Sequence, residues 1–176
     1  MRFFLKPDST VKCIHRLFSG DRAKSDFFPL LCHSDYAFIH GRPLHDQIIY
    51  CSYVGNMLTI LKDYRSAELL LGEAPSEKVM NTFEQENPHF KAHLYLYRIT
   101  RALVLFHTGK KKEAMAGFNR LLLKTTDLKS YSFDSKIYFE MQYYSLGCRL
   151  YPKRADFRKK YRLLLQRTRF SYLSNI

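Results

Sequence analysis

His89 and His93 stand four positions apart, a spacing that brings two imidazoles to one side of a helix where both could meet one metal ion. A zinc site also needs a third ligand, and metalloprotease chemistry needs a glutamate set between the histidines; neither accompanies this pair. Cys13 with His15, and Cys32 with His33, would serve a metal only by converging from separate parts of the chain. No Ser/His/Asp signature, phosphate-cradling glycine loop or paired-carboxylate motif is present. The histidines therefore read as solvated or capping residues, no metal or cofactor is expected, and the chain is not expected to be an enzyme.

Charge supplies the stronger chemical signal. The formal net charge is +13, and 149–169 holds Arg149, Lys153, Arg154, Arg158, Lys159, Lys160, Arg162, Arg167 and Arg169 against a single acid, Asp156. Phe157, Tyr161, Leu164, Leu165 and Tyr172 recur at helical spacing through the same segment, so one face can dock while the other stays basic. Arg154, Arg158, Lys159, Lys160 and Arg162 are the candidate nucleic-acid contacts, with affinity that would fall steeply as salt rises. The competing reading is a solubilising cap on the exposed end of a helical stack.

These residues must be held by helices. A chain of 176 residues, 46% of them hydrophobic, is long and apolar enough for one domain with a core, read here as spanning 1–176. Seven glycines and six prolines are too few for an all-β chain with a tight turn about every ten residues. The apolar run at Phe3-Phe4-Leu5 is broken by Lys6 and Pro7, so no signal peptide is read there. No apolar stretch approaches the roughly 20 residues of a membrane span. A soluble, cytoplasmic protein without a membrane partner is expected, with its four scattered cysteines as buried thiols.

Periodicity and punctuation predict helices over Ser9–Phe18, Asp26–His40, Pro43–Leu61, Ser66–Leu71, a linker helix in 76–86, Asn87–Thr108, Lys112–Leu123, Phe133–Leu150 and Lys153–Tyr172. Asn87 and Pro88 read as a capping side chain followed by a first-turn proline, and 125–132 as a loop. Apolar groups on more than one face of 43–61 predict a helix sandwiched between others.

One spacing occurs twice. Gly55, Leu58, Asp63-Tyr64, Ala67 and Leu71 are followed, 47 positions on, by Ala102, Leu105, Gly109, Ala114 and Phe118. A small residue, an apolar helix, a tight polar turn and an alanine on a second helix resemble the tetratricopeptide repeat family, in which small residues let neighbouring helix backbones approach. The resemblance covers 43–124 and implies an all-α fold of stacked antiparallel hairpins, a right-handed solenoid. It places helices in 1–42 ahead of the hairpins and a pair in 133–176 behind them, the last being the basic cap. Departures are the period of 47 against roughly 34, a proline displaced to Pro75, and Arg98 and Arg101 where the family places large apolar residues.

The same resemblance places the first helix of each pair on a concave face. Ile49, Ser52, Tyr53, Asn56 and Thr59 would lie there in one unit, and Leu96, Ile99, Thr100, Leu103 and Phe106 in the other, with Leu96, Leu103 and Phe106 read as core. Tyr53, Asn56, Thr59, Ile99 and Thr100 are the candidate partner-binding residues. Asn56 would either offer its amide to an extended peptide backbone or be a plain solvated residue. The expected function is a protein- or peptide-binding interaction module, with a nucleic-acid-binding accessory protein as the alternative. Partner identity and oligomeric state do not follow from these patterns.

Overall fold

Pro43, with its fixed extended geometry, ends the entering chain and starts α1 (Leu44–Ile60). The structure, a computed structural model, describes residues 41–121, 132–168 and 172; the helices expected in 9–18 and 26–40 and most of the 125–132 loop lie outside them. Within the described residues the fold is all-helical, with α2 (Tyr64–Gly72), α3 (Glu77–Glu86), α4 (Lys91–His107), α5 (Lys111–Leu121), α6 (Phe133–Leu150) and α7 (Ala155–Arg167) following α1. None of these helices is long and apolar enough to cross a membrane.

The two expected hairpins end their first helices by the same device. After α1 the chain turns left-handed at Lys62 (φ 63°), and the Asp63 amide reaches back to the Leu58 carbonyl at 2.9 Å. After α4 it turns at Gly109 (φ 85°), and the Lys110 amide reaches the Leu105 carbonyl at 2.8 Å. Each closure satisfies carbonyls that a helix end leaves open. Five residues beyond each left-handed position lies a fully buried alanine, Ala67 and Ala114, where a larger side chain would push the paired helices apart. Asp63 also caps α2 by accepting from the Ser66 amide at 3.1 Å.

α6 and α7 form a third pair, joined through 151–154. Here Gly147 is the point of closest approach: a methyl group on it would sit 3.0 Å from Phe157 Cδ1 and 3.2 Å from Phe118 Cζ. The Phe118 ring stacks on Tyr143 at 4.6 Å and meets Phe157 edge-on at 5.8 Å, so one aromatic cluster joins the second pair to the third.

Side-chain contacts fix the relative directions of the first helices. Tyr53 of α1 meets His93 of α4, and further along Asn56 meets Thr100. Tyr95 of α4 meets Phe139 of α6, and further along His107 meets Arg149. α1, α4 and α6 therefore run parallel, and the tight turns that follow them lie at one end of the molecule. α1 is packed on both α2 and α4, which explains its apolar groups on several faces. Cys51 within it is 1% exposed, and burial pushes its thiol up to about 12.

Two expectations are corrected. Asn87 does not cap a helix opening at Pro88: its Nδ2 donates back to the Phe83 carbonyl at 3.1 Å, closing α3, and Pro88–Phe90 forms a 3₁₀ turn before α4. The last helix starts at Ala155 and ends at Arg167, because Arg154 and Thr168 are both extended. α3 also accounts for the long period and for the two arginines. Arg98 pairs with Glu84 at 2.9 Å and donates to Asn81 at 2.8 Å, while Arg101 reaches Glu77 at 3.3 Å. The connecting helix supplies carboxylates where an apolar neighbour would otherwise be needed.

Candidate interaction surfaces

Tyr53, Asn56, Thr59, Ile99 and Thr100 are all buried, none more than 3% exposed. Asn56 is neither solvated nor turned toward a groove. Its Nδ2 donates to Thr100 Oγ1 at 3.0 Å and to Gln142 Oε1, while its Oδ1 accepts from the Tyr138 hydroxyl. Three helices thus spend their polar side chains on one another, as burial demands of a carboxamide. Thr59 donates to the Gly55 carbonyl at 2.8 Å, and Ser52 to the His93 carbonyl at 2.8 Å. Of the ten concave-face positions only Phe106 is partly open, so Leu96 and Leu103 are core as read while Phe106 is at its edge.

His89 and His93 also separate. His93 is 1% exposed and shares a 3.1 Å hydrogen bond between its Nδ1 and the Tyr53 hydroxyl, which corrects the solvated or capping reading; His89 is exposed. Among the described residues no three His, Cys, Asp or Glu side chains come together as a metal would require. Cys13, His15, Cys32 and His33 lie outside them.

The five basic candidates are all exposed. α7 turns Phe157 inward, 3% exposed, and half-buries Tyr161, Leu164 and Leu165, so the helix is anchored by the face that the periodicity predicted. Arg154 is held locally: it lies over the Phe157 ring at 4.5 Å, and its Nε donates to Asp156 at 3.0 Å, which holds that carboxyl below its usual range. Arg158 donates to the Pro152 carbonyl. Lys160 lies near Glu140, whose carboxyl is raised by burial and lowered in part by Lys136 and Lys160. Lys159 and Arg162 enter no ion pair among the described residues. Ala155, Arg158, Lys159, Arg162, Leu163 and Gln166 line an open depression of about 380 Å³ along this outer face.

A second depression, of about 390 Å³, lies between α3, α4 and α5. Its floor is small and apolar, with Ala102, Ala116 and Gly117 beside Leu105 and Leu121, and its rim carries Arg98, Arg101, Arg120, Glu77 and Glu113. Sequence reading missed it, because α3 was taken as a linker. The run Ala114-Met115-Ala116-Gly117, two small residues next to each other past the expected alanine, was the available signal.

Among the described residues the class is therefore all-helical, built of packed helices with an exposed cationic face on α7. No protein-family model, curated protein or solved structure matches the chain.

Proposed function

We propose that this chain is a non-catalytic interaction module of the cytoplasm that holds nucleic acid by its phosphate backbone on the outer face of α7. In this reading the three pairs continue side by side as a right-handed, tetratricopeptide-like stack, with α7 capping it. The observation that carries the proposal is the set of exposed cations Arg158, Lys159 and Arg162 along one open depression, none of which forms an ion pair among the described residues. Cations that no carboxylate among the described residues neutralises gain most from releasing the counterions of a polyanion.

The test is titration of a fluorescent oligonucleotide with the full chain at several salt concentrations. Lys159→Glu with Arg162→Glu is expected to weaken binding by about tenfold or more and to flatten the salt dependence. Equal binding by parent and variant, or binding that ignores salt, refutes the proposal.

A second reading, capture of a protein segment, is favoured by the cleft between α3, α4 and α5, whose apolar floor and charged rim suit an anchored side chain. It replaces the groove expected around Tyr53, Asn56, Thr59, Ile99 and Thr100, which are buried. Ala116→Phe fills the cleft; a protein partner that is retained equally by this variant excludes the reading.

A further inference from the structure

The parallel run of α1, α4 and α6 brings the three tight turns, 61–63, 108–110 and 151–154, to one end of the molecule. Around them, in 61–68, 107–113 and 149–158, stand nine lysines and arginines against four acids. The acids are largely occupied. Asp63 caps α2, Glu68 accepts from Lys110 at 2.9 Å and from Thr108 at 3.3 Å, and Asp156 is held by Arg154. Lys62, Arg65, Lys111, Lys112 and Lys153 are exposed and enter no ion pair among the described residues.

The remote end and its connections differ. In the described residues of 41–47, 72–91, 132–136 and 165–168, five lysines and arginines face six acids. Among the described residues the positive charge is therefore gathered at the turn end.

One residue joins this end to the face of α7. Arg149, half-buried at the end of α6, donates from Nη1 to His107 Nε2 at 2.6 Å. That bond requires the His107 ring to be neutral with its proton on Nδ1. Burial first, then Arg149 and Lys62, hold the ring below its usual range, which places Lys62 within electrostatic reach. Arg149 and Arg158 both act on the Cys148 thiol, so the line of cations continues onto α7. The order is Lys62, His107, Arg149, Arg158, Arg162, crossing all three pairs.

The geometry points to this line as one continuous phosphate track: a nucleic-acid backbone lies across the three turns and continues along the outer face of α7. The inference rests on the nucleic-acid reading given above and extends it to residues on α2, α5 and the turns. Neighbouring packed helices are about 8–10 Å apart, so three turns span roughly 20 Å, and α7 adds a similar length at about 1.5 Å per residue. With about 3.4 Å between phosphates on each strand of a duplex, each leg meets roughly six of them.

The experiment titrates the full chain and three charge-reversed variants with duplex DNA and with single-stranded RNA of about 20 nucleotides, at several salt concentrations. The turn variant is Lys62→Glu with Lys111→Glu and Lys112→Glu, and the α7 variant is Lys159→Glu with Arg162→Glu. The remote variant, Lys78→Glu with Lys136→Glu, matches the α7 variant in net charge. The turn and α7 variants are each expected to weaken binding about tenfold or more and to lower the salt slope by about three and about two respectively, while the remote variant binds like the parent. Comparison of the two probes decides which backbone the track takes. A turn variant that binds like the parent overturns the track and leaves the α7 reading standing. A parent that binds neither probe, or that prefers anionic vesicles or an acidic polypeptide, overturns both. A remote variant that loses as much affinity as the α7 variant reduces the effect to net charge and overturns the track. Thermal unfolding is followed for each variant, and a Lys→Gln series at the same positions repeats the test if any reversal fails to fold.

Discussion

The polar cluster around Asn56 and the cationic face of α7 both concentrate hydrogen-bonding groups, and they differ in what meets them. Around Asn56 every partner is intramolecular: Thr100, Gln142 and Tyr138 come from two other helices and leave water outside. Along α7 the described residues provide Asp156 for Arg154 and a carbonyl for Arg158, and no ion-pair partner for Lys159 and Arg162. Polar groups that the fold must satisfy report on stability and register, whereas those it leaves open report on a partner. The two regions should respond oppositely to substitution.

The sharpest break in the comparison is Asn56→Ala. It removes the donor that meets Gln142 Oε1 and the acceptor that meets the Tyr138 hydroxyl, both buried, and opens a cavity, so unfolding free energy should fall by about 2–4 kcal/mol in urea titrations. Oligonucleotide affinity of the folded fraction should stay unchanged. A loss below about 0.5 kcal/mol would make the cluster incidental to stability.

Next in size is a contrast between two close approaches. Gly147→Ala drives a methyl against Phe157 and Phe118, two packed rings, and should cost about 1–3 kcal/mol. At Gly55 the nearest atom is 3.3 Å away, on the flexible end of Leu71, and removing a helical glycine returns about 1 kcal/mol. Gly55→Ala should therefore lie within about 0.5 kcal/mol of the parent, and equal losses at both sites would erase the distinction.

Lys159→Glu with Arg162→Glu should change stability by no more than about 0.5 kcal/mol while weakening oligonucleotide binding. Thermal melting beside the binding titration separates the two readouts. A variant that melts far earlier would turn the α7 face from an open surface into a structural one.

The smallest effect is a pH dependence at His107. Its folded value is depressed, so the unfolded chain takes up the proton first as pH falls through about 6.5. The stability tied to the neutral ring is complete above that value and is lost toward the folded one. Unfolding measured at about pH 7.5 and about pH 5.5 should show the drop, and His107→Gln, which keeps an acceptor for Arg149, should remove that component.

Much of the architecture was readable because it is local. Gly55, Ala67, Gly109 and Ala114 announced two hairpins through residue size and turn chemistry, and the inward face of α7 was spaced as periodicity required. The interior position of Asn56 was not local, since its partners lie 44, 82 and 86 residues away. A clue existed nonetheless: a carboxamide in the middle of a helix apolar on several faces has little solvent to meet. Arg98 and Arg101 read as departures because α3, which supplies Glu77, Asn81 and Glu84, was taken as a connection. The gathering of cations at the turn end depends on α1, α4 and α6 being parallel, which no single segment declares.

Cys51 gives the molecule a built-in opening gauge. At neutral pH a thiol displaced to about 12 is almost never a thiolate, and it is enclosed by α1 and its neighbours. An alkylating reagent reaches it only in molecules where the interface between α1 and its neighbours has opened. Mass-resolved labelling of Cys51, timed against the more accessible Cys148, thus measures how often that interface separates under native conditions.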